Sequence, residues 1–436
     1  MQCNILCILL LDVFIMKNRF GPLWIILPVA LIILVDIYVF QAVKSVFSTA
    51  KPNTQRIANI CYWLLSSVTY IAVLILILKG YSNWHGWSKI LVIGVAQAIF
   101  FGKLLVVVFL LADDLFRIFR WMFNVSTSTT NPETTNGISR LQFLNRIGLI
   151  VGSFAFGSLI YGVLRGAYNF QIRKVKLKIH ELPYEWKGLK IVQLSDLHVG
   201  SFANKKPIEE IVKLVNEQDP DIIFFTGDLV NYTTDEVEPY IDTLKQLKAK
   251  IKIYSILGNH DYGAYKEWDS EKEMQDNLSR LIKIQREELG WDLLMDENRI
   301  LERNGKTLAI IGVQYIGYSM RFGKIGNLTK AYKGSENADI RLLLSHDPSH
   351  WDKEVSIQNI YSGIQATFAG HTHGFQFGIE IPGLKWSPAK YIYPHWAGLY
   401  KNTKQYLYVN RGAGFLGYPG RLGISPEITV FQLSST

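Results

Sequence analysis

Before residue 170 the chain carries four apolar windows, Pro22–Val43, Ala58–Leu78, Ile90–Ala112 and Ile147–Tyr168, each near the roughly 20 residues a helix needs to cross a bilayer. In lipid the backbone has no water to bond, so an apolar run of that length has to satisfy its own N–H and C=O groups as a helix. Residues 1–169 are therefore expected to form an all-α transmembrane region of about four helices. Residues 170–436 are expected to form a separate domain. The concentration of apolar residues in the first part explains why the whole chain is 49% hydrophobic.

The fourth window holds Gly148, Gly152, Gly157 and Gly162, the small residues that let helices approach in lipid. The opening stretch Ile5–Met16 is apolar but too short to count as a span, and Met16-Lys17-Asn18-Arg19 also reads as a start. Asp113–Phe123 has helical periodicity with Arg117 and Arg120 on its polar side, and is expected to lie along the interface. Residues 126–136 read as a polar loop. Asp36 and Lys103 fall inside spans. Either they form a buried pair or transport element, or Lys103 snorkels while Asp36 finds an amide or hydroxyl, which is the commoner arrangement.

Four spans divide the flanking cations into two sets. Lys17, Arg19, Lys79, Lys89, Arg165, Arg173, Lys174, Lys176 and Lys178 lie on one side, and Lys44, Lys51, Arg56, Arg117, Arg120, Arg140 and Arg146 on the other. Nine against seven leans towards a cytoplasmic C-terminal domain in a multi-pass membrane protein. The net charge of +9 is scattered, with no long basic run, so no nucleic-acid partner is expected. Cys3, Cys7 and Cys61 all precede Phe170, which excludes a disulfide framework or a thiolate zinc site in the second half.

From Val175 onward strands and helices alternate. Strands are expected at 175–179, 189–194, 222–226, 251–256, 308–313, 340–344, 366–368, 407–409 and 428–433, and helices at 207–217, 236–248 and 270–288. Several strands are continuous apolar runs, as in sheet buried on both faces, and sheet covered by helices makes a layered α/β domain.

Five of these strands end in metal-type ligands. KIVQLSDLHVG ends in Asp196 and His198, which project to one side of extended backbone. FFTGDLVN ends in Asp228, YSILGNHD in Asn259, His260 and Asp261, LLLSHDP in His346, and ATFAGHTHG in His371 and His373. Five of the nine histidines sit at these ends, which a random scatter would not produce. Singly, Gly-Asp is usually a turn and Ser-His-Asp-Pro often one; the ordered set is what carries weight. Carboxylate, imidazole and amide without thiolate suit Mn, Fe or Zn. Seven ligands are too many for one tetrahedral site, so two divalent ions are expected, with Asp228 bridging and His371 and His373 addressing different ions.

These five blocks resemble the signature of the calcineurin-like metallophosphoesterase superfamily, over roughly Val175 to Leu433. The closing stretch YVNRGAGFLGYPGRLGISPEITVFQL is similar to its bacterial membrane-tethered members. The resemblance implies a four-layer α-β-β-α sandwich with a dimetal site at the strand ends. It implies that Asp196, His198, Asp228 and His373 hold one ion, and Asp228, Asn259, His346 and His371 the other. His260 becomes the non-ligand acid near the leaving group, with Asp261 as its orienting partner. Asn231 receives no role.

The chemistry expected is hydrolysis of a phosphodiester or pyrophosphate bond by attack of a metal-bridged hydroxide, on a phosphate ester that is lipid-linked or a nucleotide diphosphate derivative. One of Arg411 and Arg421 is expected to meet the substrate phosphate, the alternative being a structural salt bridge. His350 and His395 are placed outside the cluster, His350 nearer the cleft. The competing functions are a nuclease or cyclic-nucleotide phosphodiesterase, and a membrane sensor or transporter with a regulatory phosphoesterase domain.

Overall fold

The computed structural model describes residues 23–79, 84, 86–123, 140–318, 323–402 and 405–435. The stretch Ile5–Met16 and the loop 126–136 lie outside them. The described residues fall into two compact units that part near residue 164.

The first unit contains four long helices: α1 (Leu23–Phe47), α2 (Pro52–Lys79), α3 (Gly86–Met122) and α4 (Arg140–Leu164). Each is long and apolar enough to cross a membrane. Residues 113–122 are not a separate interfacial helix. Nothing between Ala112 and Met122 breaks the backbone, and Asp113 pairs with Arg117 one turn on at 2.8 Å, so α3 simply continues. Gly152 packs against α3, where an added Cβ would lie 2.8 Å or less from Gly102 O and Val106, whereas one on Gly157 would meet nothing. Lys103 does not snorkel. It pairs with Asp36 and donates to Ser66 Oγ at 2.6 Å, while Tyr70 and Tyr62 donate to Asp36 as well.

In the second unit the strands build two six-stranded sheets. One runs β1-β14-β2-β3-β4-β5, with β1 at Gln171–Ile179, β2 at Lys190–Leu194, β3 at Ile222–Phe225, β4 at Lys252–Ser255, β5 at Asp292–Leu293 and β14 at Glu427–Ser435. The other runs β12-β13-β9-β8-β7-β6, with β6 at Glu297–Arg303, β7 at Lys306–Gly312, β8 at Ile340–Leu344, β9 at Ala366–Ala369, β12 at Gly398–Lys401 and β13 at Tyr406–Val409. A hairpin of β10 (Ile379–Ile381) and β11 (Leu384–Trp386) stands apart.

The sheets face each other across one core. Phe224 of β3 meets Phe368 of β9 at 5.0 Å, and Phe431 of β14 meets Tyr408 of β13 at 4.8 Å. Val192, Ile223 and Phe225 point the other way and are equally buried. On the helix α5 (Lys206–Asn216), Ile208, Ile211, Val212 and Val215 form one buried stripe. Leu328, Tyr332, Trp351 and Tyr361 cover the outer face of the second sheet. The result is the four-layer α-β-β-α arrangement.

The helix expected at 236–248 is broken into single turns, Glu238–Tyr240 and Ile241–Leu244, with only the second α-helical. The helix at Glu271–Lys283 is capped by Ser270 and runs into a wide turn at Ile284–Glu288.

Register brings the ligand loops together. Leu194 pairs with Phe225, and Phe225 with Ser255, so three loops leave the first sheet side by side. In the second sheet Leu344 pairs with Phe368 and Ala369 with Val409. Gln193, buried inside β2, ties the sheets beneath the loops by donating to Thr226 Oγ1 and to Ala369 O, both at 2.9 Å.

Candidate metal centre

The loop backbones are stitched together before any side chain is considered. Asp196 N donates to Gly227 O at 2.9 Å, His198 N to Asp228 O at 3.1 Å and Gly370 N to His346 O at 2.9 Å. Gly258 is required by closeness, since a Cβ there would run into the Asp228 carboxylate. Asp196, His198, Asp228, His371 and His373 all sit at positive φ, between 44° and 70°. Non-glycine residues pay roughly 1 kcal/mol or more for that conformation and keep it where surrounding structure enforces it, as at functional sites.

Two buried groups result. In the first, His373 Nε2 lies 3.2 Å from Asp196 Oδ1 and 3.1 Å from His198 Nε2. In the second, His346 Nε2 lies 3.2 Å from Asp228 Oδ2, with His371 completing the set. Asp228 Oδ2 is also 3.5 Å from His198 Nε2, which places this carboxylate between the groups. His346 Nδ1 donates to Thr226 O at 2.6 Å, which fixes the tautomer and leaves Nε2 for a ligand.

The residues fit a pair of cations. Asn259 Oδ1 is buried without a hydrogen bond, an arrangement that ordinarily costs about 1–3 kcal/mol and that a cation relieves. Burial works against charge on Asp196, yet the facing His373 and His346 hold it down at about 2. Burial would likewise lower His346, but Asp228 and Asp196 outweigh it and hold it at about 10. The same carboxylates that favour the charged imidazole would favour a bound cation in its place.

The positions beside the two groups differ from expectation in three respects. Asp261 does not touch His260; it accepts backbone N–H from Asp228 at 2.9 Å, Leu229 at 2.8 Å and Gly258 at 2.8 Å. His260 Nδ1 instead donates to the carbonyl of Asn231 at 2.8 Å, and Tyr265 stacks on the ring at 4.2 Å. Arg411 is taken up by Glu427 and, at 2.6 Å, by Glu380. Arg421 is 1% exposed and donates to the carbonyls of Arg411 and Gly412 at 2.8 and 3.0 Å, so both arginines are built into the fold. His350 is bonded to Ser345 Oγ at 2.7 Å and His395 to Asp352 at 2.6 Å, away from both groups.

Sequence reasoning assigned no role to Asp347 or Tyr393. Asp347 Oδ2 lies 3.3 Å and Tyr393 OH 2.9 Å from His371 Nε2, so both hold this nitrogen of the ring. Asp347 adjoins His346 and was visible as a candidate; Tyr393 comes from a distant segment with no signal.

At the strand ends of the two sheets lie two buried His/Asp groups that could hold metal ions, with Asp228 within 3.5 Å of a histidine of each. Residues 18–167 match the family described as probable calcineurin-like phosphoesterase, transmembrane domain, and residues 189–375 match calcineurin-like phosphoesterase. The chain belongs to the calcineurin-like metallophosphoesterases of membrane-tethered type. It is 28% identical to "Uncharacterized metallophosphoesterase YkuE" of Bacillus subtilis over 69% of this chain and 99% of that one. It is 27% identical to "Transmembrane protein with metallophosphoesterase domain" of Danio rerio over 62% of this chain, and spans only 59% of that relative's length. Among solved structures, NAD nucleotidase of Haemophilus influenzae aligns over 52% of this chain and 45% of its own, at 16% identity and a TM-score of 0.34.

Proposed function

We propose that the chain is a membrane-anchored dimetal phosphoesterase that hydrolyses a phosphodiester or pyrophosphate bond, on a lipid-linked or nucleotide-diphospho substrate. The observation that carries this is the position of Asp228 between two buried nitrogen-and-oxygen ligand groups.

Asp196, His198 and His373 would hold one ion, Asn259, His346 and His371 the other, and Asp228 both. Two bound divalent ions, Mn, Fe or Zn, would supply charge neutralisation at the phosphoryl oxygens and acidify an attacking water. The protein's own contribution is placement. His260, its ring fixed by the Asn231 carbonyl and by Tyr265, keeps Nε2 for the departing oxygen. Its imidazolium form, protonated at both nitrogens, would give that oxygen the Nε2 proton and be left neutral with Nδ1–H on Asn231. Asp261 holds the Asp228 and Gly258 amides, and so the spacing of the two loops that carry the bridge and Asn259. The cation balance of the membrane flanks supports a cytoplasmic site.

The test is turnover by full-length protein in detergent with Mn, against bis-p-nitrophenyl phosphate, a lipid-linked nucleotide sugar and a monoester. Chelator-sensitive cleavage of the diester or the pyrophosphate supports the proposal. No turnover with any metal, or turnover of the monoester alone, overturns it.

A further inference from the structure

Among the described residues after 170, thirteen large apolar side chains are exposed, and seven of them lie between Phe377 and Leu399. That clustering singles out one segment, and within it strand β10 is inside out. Ile379 and Ile381 are exposed at 44% and 58%, while Glu380 between them is turned inward. Ile381 pairs with Leu384 and Ile379 with Trp386 across the strands, so these four share one face. Of the polar side chains Glu380 is turned inward, while Lys385 is exposed and reaches the domain through its ammonium, and Trp386 is half-buried. Glu380 accepts from Arg411 at 2.6 Å, and the Lys385 ammonium donates to Ala397 O and sits 4.8 Å from the Trp396 ring centre. A water-facing strand has the opposite alternation to that of β10.

Two further observations say what covers this face. The last apolar span runs to Tyr168, and Arg173, five residues on, donates to Glu380 Oε2 at 2.7 Å. The hairpin is thus pinned to the strand by which the chain leaves the bilayer. Exposed Tyr391 and Ile392 extend the patch, with Lys390 over the Tyr391 ring at 5.1 Å, the aromatic and cationic pairing found at lipid headgroup level.

We propose that the Ile379–Trp386 hairpin lies in the headgroup region of the bilayer and seats the metal centre against phosphoesters anchored in that membrane. This rests on the phosphoesterase reading only for the identity of the reacting bond. The connection to the centre is short. The same segment supplies Tyr393 to His371, and Ser387 Oγ donates to Gly374 O at 2.7 Å, one residue from His373. A lipid-linked diphosphate would then reach the ions without leaving the membrane.

Nitroxide labels on Ile381→Cys and Leu384→Cys, in full-length protein with Cys3, Cys7 and Cys61 changed to Ser, read the proposal directly in phosphatidylcholine–phosphatidylglycerol nanodiscs. Collision with a water-soluble nickel chelate should fall roughly tenfold relative to a label on Ile360→Cys, an exposed position outside the segment. Equal nickel collision at all three sites overturns the proposal. So does dipolar broadening between labels in place of shielding by lipid, which would put a second copy on the face. In the unlabelled protein, Ile381→Asp with Leu384→Asp should lower turnover of a bilayer-embedded lipid-linked pyrophosphate about tenfold, and leave turnover of soluble bis-p-nitrophenyl phosphate unchanged. Equal loss on both substrates counts against the hairpin's role. Absence of soluble turnover in the unaltered protein counts against the phosphoesterase reading, while the labels still report the hairpin.

Discussion

Asp347 Oδ2 lies 3.3 Å from His371 Nε2, the nitrogen that Tyr393 OH also meets at 2.9 Å. A carboxylate behind a ligating histidine sets its orientation and raises its basicity. Asp347→Asn should therefore weaken one cation by about 10–100-fold and leave the other at its original affinity. Equilibrium dialysis against Mn, fitted to two sites, measures this; equal weakening at both sites would assign Asp347 to the fold at large.

His260 and Asp261 are neighbours with separate tasks. His260→Asn should lower turnover by about 10²–10⁴ with metal content unchanged, because the ring hydrogen-bonds the Asn231 carbonyl and is not needed to hold an ion. Asp261→Asn should lose metal as well as turnover, because the new amide faces backbone donors that need an acceptor. Metal analysis of both purified variants checks the contrast. Matching metal contents in the two would contradict it.

Arg411 offers a choice between substrate contact and architecture. Its guanidinium is 2% exposed and engaged by Glu427 and Glu380. Arg411→Met leaves buried Glu427 with only Arg173, whose Nε is 3.5 Å away, and should destabilise the domain by about 3 kcal/mol. Thermal unfolding in detergent reads the loss. A normal melting temperature with a raised KM would return the residue to the phosphate.

In the membrane region, Asp36→Asn strands Lys103 among Ser66 and Tyr62, and should lower the melting temperature of the full chain. Soluble-diester turnover per folded molecule should persist. Lost turnover in a variant that melts normally would instead tie the pair to function.

The central strands could be read because each is a continuous apolar run buried on both faces, as in Ile222–Phe225 and Ile340–Leu344. The edges could not. Glu297–Arg303 is half-exposed and polar, Asp292–Leu293 is two residues long, and the hairpin strands Ile379–Ile381 and Leu384–Trp386 are three residues each. The ligand blocks stood out because histidine and aspartate recur at strand ends. The backbone conformation that aims them did not, since left-handed φ at five non-glycine positions has no signature in residue type. Asp261 was misassigned for a related reason. Adjacency to His260 suggested a pair, but the two side chains leave a tight turn in different directions, and the stronger demand came from the amides of the facing loop.

Everything in the site turns on Asp228 serving two ions at once, and anomalous scattering from crystals of Mn-loaded full-length protein tests that most directly. Two peaks about 3.5–4 Å apart are expected, one beside Asp196, His198 and His373 and one beside His346, His371 and Asn259, with Asp228 touching both. A single peak, or two peaks that do not share Asp228, would contradict the account.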